Sequence, residues 1–220
     1  MIFLNGGPGC TTMLGAFLLN GPCVVDDDSF YFDNPYAWNS KLNILYIDAP
    51  AGVGFSWAKN SEDKKYNDYI SSVDNMKAVL EFFKKFPELI KNDVYLAGDS
   101  YAGVYIPYLA MRIHQHNQEI KTHNNGPHIN MKGILVGNAC TDWTVDTYNS
   151  RMDFSYMHNI VDQDTYFNWR DHKCERFSDD VFPPTPDPVC DQMWERLENH
   201  LSDNINPYDI YRDEHPVEYN

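Results

Sequence analysis

Ser100 lies in the run Asn92-Asp93-Val94-Tyr95-Leu96-Ala97-Gly98-Asp99-Ser100-Tyr101-Ala102-Gly103-Val104-Tyr105-Ile106-Pro107, where a short apolar stretch stops at a glycine and a helix-like segment begins just after the serine. On a sharp strand-to-helix turn a serine is pushed out of the sheet as a nucleophile, and its flanking neighbours must be small to avoid collision. Gly98 and Ala102 fill those places, giving Gly-x-Ser-x-Ala-Gly. Glycine, serine and alanine also gather at ordinary turns, so the pattern alone leaves that reading open. A second run, Phe3-Leu4-Asn5-Gly6-Gly7-Pro8-Gly9-Cys10, follows the apolar start of the chain. Consecutive glycines after a strand leave backbone N–H groups uncovered. Such a loop can form one wall of an oxyanion hole, with the N–H of the residue after the nucleophile, here Tyr101, as the other donor. One lost donor costs about 3 kcal/mol of transition-state stabilisation. A plain glycine turn is the alternative.

The elements that must position these runs follow from periodicity. Strands are expected at about 1–4 and through Leu42-Asn43-Ile44-Leu45-Tyr46-Ile47, followed by a helix from about Tyr66 to Phe86. That helix carries Ile70, Val73, Met76, Leu80 and Phe83 at three-to-four residue spacing, with Lys77, Glu81, Lys84 and Lys85 on the other side. The strand Val94-Tyr95-Leu96-Ala97, a helix from about Ala102 to His116 and the strand Gly133-Ile134-Leu135-Val136-Gly137 come next. Strands alternating with helices indicate a parallel, doubly wound α/β sheet with right-handed connections, which puts Ser100 at the C-terminal edge of its strand. From about Cys140 the alternation ceases. Helices are expected over Tyr148 to Tyr156, Asp164 to His172 and Val189 to Leu201, and Phe182-Pro183-Pro184-Thr185-Pro186-Asp187-Pro188 reads as a loop.

Together these segments resemble the serine carboxypeptidase family of α/β-hydrolases. Asn5-Gly6-Gly7-Pro8-Gly9-Cys10 is similar to the family's Asn-Gly-Gly-Pro-Gly-Cys-Ser-Ser, with Thr11-Thr12 for the two serines and Gly21-Pro22 at the expected distance. Asp48-Ala49-Pro50-Ala51-Gly52-Val53-Gly54-Phe55-Ser56-Trp57 is similar to Asp-x-Pro-x-Gly-x-Gly-Phe-Ser-Tyr, and Phe86-Pro87-Glu88 and the Ser100 run continue in the same order. The resemblance implies an α/β-hydrolase-type, mainly parallel sheet that is incomplete here and carries a helical cap insertion. Residues 1–139 would be the N-terminal part of the core, and 140–220 the cap and a linker, with Asn206-Pro207-Tyr208-Asp209-Ile210-Tyr211 similar to the segment before the family's processing region.

By this resemblance Ser100 is the acylated nucleophile, and the N–H groups of Gly7 and Tyr101 form the oxyanion hole. The substrate is a peptide or protein C-terminus, and no cofactor or metal is implied. Family members hold the substrate's terminal carboxylate with an Asn, a Trp and two Glu residues. Asn5 keeps the first role and Asp99 stands for the Glu before the nucleophile, whereas Phe3 replaces the Trp and Leu19 stands where the second Glu is expected. Carboxyl groups beside a bound carboxylate hold protons above their normal pKa and donate to it. A lost contact of this kind is worth about 1.5 to 3 kcal/mol, so recognition of a terminal carboxylate should be weak or altered. The family's Asp and His lie in Gly-Asp and Gly-His segments far downstream. The only Gly-Asp here is Gly98-Asp99, there is no Gly-His, and His158, His172, His200 and His215 read as surface residues. The base and acid would come from a second chain or a C-terminal segment. An acyltransferase of the same family, for which Asp99 speaks, and a non-catalytic homologue that binds peptides are the alternatives.

With 220 residues and 43% hydrophobic content the chain can bury a core, yet family members need about twice this length to complete the sheet and triad. Seventeen basic against 32 acidic residues give a net charge of −15, which disfavours nucleic acids and anionic membranes as partners. Of the five cysteines, Cys174 and Cys190 flank the proline-rich stretch and are the first choice for a disulfide, Cys23 and Cys140 stay open, and Cys10 would by resemblance seek a partner in the missing half. Neither a signal peptide nor a membrane-spanning stretch is visible. The family is vacuolar, lysosomal or secreted, so an upstream signal and the first strands are expected to be missing. There is no Asn-x-Ser/Thr acceptor.

Overall fold

In the computed structural model the apolar start of the chain forms strand β1 (Ile2–Leu4), buried along its whole length. The structure describes residues 1–25, 30–61, 65–123, 126–142, 145–146, 148–174, 187–202, 205–206 and 208–211, with His123, Tyr148 and Ser202 described by backbone alone. They fall into two compact units, Met1–Cys140 and Thr141–Asn220.

In the first unit β1 is followed by a π-helical turn at Gly15–Leu19 and an antiparallel pair, β2 (Cys23–Val25) and β3 (Tyr31–Asp33). Then come β4 (Leu45–Tyr46), helix α1 (Asp68–Lys85), β5 (Val94–Asp99), helix α2 (Ala102–His123) and β6 (Met131–Gly137). Strands β4, β1, β5 and β6 lie side by side in that order, all parallel. This is the α/β architecture expected from the alternation of elements. The pairing of Leu4 with Gly98 makes β1 and β5 end together, so the glycine run after β1 and the serine run after β5 emerge beside each other at the C-terminal edge.

Helix α1 starts where the Asn67 side chain accepts from the Ile70 N–H at 2.8 Å, with Asp68 in its first turn and Lys84 and Lys85 in its last, both favourable to the helix dipole. Its buried face holds Ser71, Ser72, Asn75, Met76, Val79 and Phe83, whereas Ile70, expected on that face, is 43% exposed. Helix α2 buries Ala102, Ile106, Leu109 and Ile113 at helical spacing, and these pack with Ile2, Leu4, Val94 and Leu96 into one core. Each buried Val, Leu or Ile among them contributes about 1.5 to 3 kcal/mol. Arg112 links the two helices, its Nε donating to Ser72 Oγ at 3.0 Å while the guanidinium lies over the Tyr69 ring.

Several boundaries differ from the sequence expectation by a residue or two, and two of them by more. The strand expected through 42–47 contracts to Leu45–Tyr46, because the chain turns before it and the Asn43 carbonyl instead accepts from the Met1 ammonium at 2.7 Å. Helix α2 runs on past His116 to His123, since Gln118, Glu119 and Lys121 keep the helix going without an apolar stripe.

The second unit is helical: α3 (Tyr148–Met157), α4 (Gln163–Asp171) and α5 (Pro188–Ser202), close to the three helices expected there. Its own core comprises Met152, Val161, Trp169, Met193, Leu197 and Leu201 together with the Cys174–Cys190 disulfide. Asp162 caps α4, accepting from the Thr165 N–H at 2.6 Å, and Arg151 pairs with Glu198 at 2.9 Å. The expected loop up to Pro186, and the tail beyond Tyr211, lie outside the described residues. Cys10, Cys23 and Cys140 are thiols. Among the described residues no helix is long and apolar enough to cross a membrane.

Candidate active site

The turn after β5 holds Ser100 in the left-handed conformation, at φ 57°. A non-glycine residue there costs roughly 1 to 3 kcal/mol and persists only when its surroundings fix it. Three backbone bonds do so. Ser100 N–H donates to the Gly137 carbonyl at 2.9 Å, while the Ser100 carbonyl accepts from Gly103 N–H at 3.0 Å and Cys140 N–H at 2.9 Å. The end of β6 therefore braces the turn. Small neighbours are required: a Cβ on Gly98 would lie 2.5 Å from the Ala102 Cβ and 2.5 Å from the Leu4 carbonyl oxygen.

The glycine run meets this turn from the side. A Cβ on Gly6 would lie 2.6 Å from Ser100 Cβ and 2.7 Å from the Tyr101 nitrogen, so only glycine lets the loop come this close. Gly7 follows in a tight turn that Cys10 N–H closes onto the Gly6 carbonyl at 3.2 Å. Helix α2 begins at Ala102, so the Tyr101 N–H belongs to a helix N-terminus, where donors are uncovered and the dipole favours negative charge. The arrangement brings Ser100, the Tyr101 nitrogen and the Gly6 backbone together, with Gly7 next in the loop.

Two buried side-chain oxygens at this edge lack hydrogen bonds. Asn5 is 8% exposed, its N–H donating to Thr12 Oγ1 at 3.3 Å, and its Oδ1 is buried with no hydrogen bond. Asp99 Oδ1 is likewise buried and unbonded. Burial pushes the Asp99 carboxyl above the usual aspartate value, opposed by a backbone N–H bond. The residues that replace the family's other two carboxylate contacts stand differently. Phe3 is 4% exposed and packs edge-on against Trp38 and obliquely against Tyr46, a core role, while Leu19 ends the π-helical turn with its side chain 58% exposed.

One contact had no sequence signal. The Tyr101 hydroxyl donates to the Asp68 carboxylate, 3.1 Å from each oxygen, tying the residue after the serine to the first turn of α1. Burial first, and Asp68 second, push the Tyr101 phenol up, and burial does the same to Tyr105 behind it. Two residues so far apart in the chain leave no periodic trace, and only the fold joins them. Of the histidines after the serine, His158 and His172 turn a ring nitrogen to the carbonyl one helical turn back, and His200 is exposed. His215 lies outside the described residues. No histidine among the described residues bonds Ser100, and no group of His, Cys, Asp and Glu among them is arranged to hold a metal ion.

Comparison with known proteins agrees with this geometry. The family profile of serine carboxypeptidases matches residues 1–219. Serine carboxypeptidase 3 of Hordeum vulgare is 38% identical over 166 residues, which is 76% of this chain and 32% of that protein. The lysosomal protective protein of Mus musculus is 35% identical over 215 residues, 96% of this chain and 42% of that protein. The crystal structure of a prohormone-processing carboxypeptidase from Saccharomyces cerevisiae superposes with a TM-score of 0.70 at 28% identity, covering 90% of this chain and 44% of that one. The chain thus spans less than half the length of each of these relatives. Over its whole matched length it belongs to the serine carboxypeptidase family.

Proposed function

We propose that the full-length protein is a serine-type carboxypeptidase acting through an acyl-enzyme on Ser100. The observation that carries this reading is the close approach of Gly6 to a serine held in the left-handed conformation at a strand end. Ser100 Oγ attacks the carbonyl carbon of the C-terminal peptide bond as a histidine takes its proton. The carbonyl oxygen, now negative, receives N–H groups of Gly7 and Tyr101. Collapse breaks the C–N bond, the histidine protonates the departing amine, and water then releases the acyl group by the same route. In this reading the histidine and its orienting aspartate are supplied by a C-terminal segment or a second chain. A lysosomal, vacuolar or secreted site of action fits the kinship with the mouse lysosomal protein.

Asn5, through its side-chain amide N–H, and a protonated Asp99 receive the terminal carboxylate in this reading, and the unbonded, buried Asp99 Oδ1 supports it. A protonated Asp99 donates to the carboxylate; an ionised one repels it. Its raised pKa keeps the neutral form to higher pH than an ordinary aspartate, so affinity for free-acid substrates falls as pH rises through that value. Leu19 adds nothing polar, so discrimination in favour of a free C-terminus is weak.

The test is hydrolysis of blocked dipeptides ending in a free acid or an amide by the full-length protein. Both should be cleaved with rates within about tenfold of each other, and Leu19→Glu should widen the preference for the acid by tens of fold. Hydrolysis that survives Ser100→Ala, or none in the wild type, rejects the reading. Asp99 before the serine favours one other reading, an acyltransferase, and transfer from an acyl ester to an alcohol faster than to water would establish it.

A further inference from the structure

The Asp48 carboxylate is 8% exposed and faces no cation among the described residues, yet it accepts three short hydrogen bonds. Oδ1 takes the Thr11 hydroxyl at 2.8 Å and the Thr12 N–H at 2.6 Å, and Oδ2 takes the Phe55 N–H at 2.7 Å. The Asp48 carbonyl also accepts from Ser56 Oγ at 2.7 Å. Thr12, so held, uses its own hydroxyl twice: it donates to the Ile47 carbonyl at 2.6 Å and accepts from the Asn5 N–H at 3.3 Å. Both ends of the glycine turn, Asn5 on one side and Thr11-Thr12 on the other, are therefore fastened to a single acid and the strand end that bears it. An asparagine has one acceptor oxygen and cannot serve all three donors, so the position needs a carboxylate. Hydrogen bonds to an ionised acceptor are about twice as strong as neutral ones, and a site walled off from water strengthens them further.

We propose that Asp48 is a positioning residue for the oxyanion hole: through Thr11 and Thr12 it fixes where the Gly6-Gly7 backbone sits against Ser100. The inference rests on the reading of the Gly7 N–H as an oxyanion donor. Asp48 touches neither substrate nor Ser100, and its effect appears where the geometry of that wall matters, in binding of the tetrahedral state rather than of the ground state.

The experiment compares full-length wild type with Asp48→Asn, which keeps one acceptor oxygen, and Thr11→Ala, which removes one of the three bonds to Asp48 together with the bond that Thr11 Oγ1 accepts from the Met13 N–H. Two readouts are taken. Backbone hydrogen exchange at Gly6, Gly7, Gly9 and Cys10 reports the loop directly, and the affinities of a peptide boronic acid and of the matching cleavage product report the tetrahedral and ground states. In Asp48→Asn, exchange in the loop should quicken by about tenfold or more while the core of β5 stays protected. Boronate affinity should fall by roughly tenfold to a hundredfold, with product affinity within about twofold. Thr11→Ala should show a smaller change of the same kind, and it decides the matter if Asp48→Asn does not fold. Unchanged loop exchange overturns the proposal. Faster exchange with unchanged boronate affinity overturns the positioning role. A wild type that binds no boronate refutes the carboxypeptidase reading instead, and loop exchange alone then decides whether Asp48 is the fastener.

Discussion

The two units solve the problem of a stable core by different means. Met1–Cys140 stacks two amphipathic helices on a parallel sheet, and its chemistry-bearing residues sit on turns that the sheet holds still. Among the described residues, Thr141–Asn220 has three helices of 10, 9 and 15 residues and closes its smaller core with a disulfide. A sheet distributes its constraint over many backbone bonds, so single residues such as Ser100 can be held in costly conformations. A small helical cluster has fewer such bonds and relies on covalent closure and caps. Precision is concentrated in the first unit and covalent reinforcement in the second.

The sharpest way to break this contrast is to spoil the close approach in the sheet unit. Gly6→Ala puts a methyl group 2.6 Å from Ser100 Cβ and 2.7 Å from the Tyr101 nitrogen. On the carboxypeptidase reading proposed above it should lower kcat of the full-length protein by about a hundredfold to a thousandfold through a displaced donor, and cost about 1 to 3 kcal/mol of stability, measured by steady-state kinetics and denaturant melts. A loss confined to KM would place Gly6 in ground-state binding instead.

Next in size is the disulfide. Replacing Cys174 and Cys190 by serine opens a loop with a sequence separation of 16 and should cost the helical unit about 3 kcal/mol. Hydrogen exchange resolved by segment is the measurement: α3 to α5 should lose protection while β5 and α2 keep theirs. Equal loss in both units would abolish the distinction.

The smallest effect tests the caps. Asp162 accepts the Thr165 N–H, and that bond holds its carboxyl below the usual range. An acid with a lowered folded pKa stabilises above its unfolded value, about 3.9, and the contribution fades as pH falls through the lower folded value. Asp162→Ala should therefore cost about 1 kcal/mol at neutral pH and progressively less below about pH 4. A pH-independent difference would mean that the charge plays no part.

Much of this was legible in the sequence where a local rule and the tertiary fold agree. Gly98 and Ala102 announced the turn at Ser100 because the collision they avoid is between near neighbours. The helix at Asp68–Lys85 was legible from its spacing, but its buried face was misread at Ile70: a helix crossing another helix as well as a sheet buries small polar residues such as Ser71, Ser72 and Asn75. The Gly15–Leu19 turn and the β2–β3 pair gave no warning, since Tyr31, Phe32 and Asp33 are all exposed and show no apolar and polar alternation. The proximity of Asn5 to the serine turn came from motif resemblance, whereas the Tyr101 to Asp68 bond and the Asp48 hub arise only when distant segments meet. Sequence periodicity encodes faces; it carries no record of which loop touches which.

The bracing of Ser100 by the end of β6 also sets an order of events during synthesis. A chain leaves the ribosome N-terminus first, so Ser100 emerges before Gly137 and Cys140, the residues whose backbone groups hold it. Until they arrive, only the bond from the neighbouring Gly103 N–H opposes the cost of the left-handed conformation, and the serine is free to relax to an ordinary backbone geometry. A nascent chain that stalls before β6 therefore lacks two of the three backbone bonds that hold Ser100 in place, and the end of β6 and the residues just after it supply them.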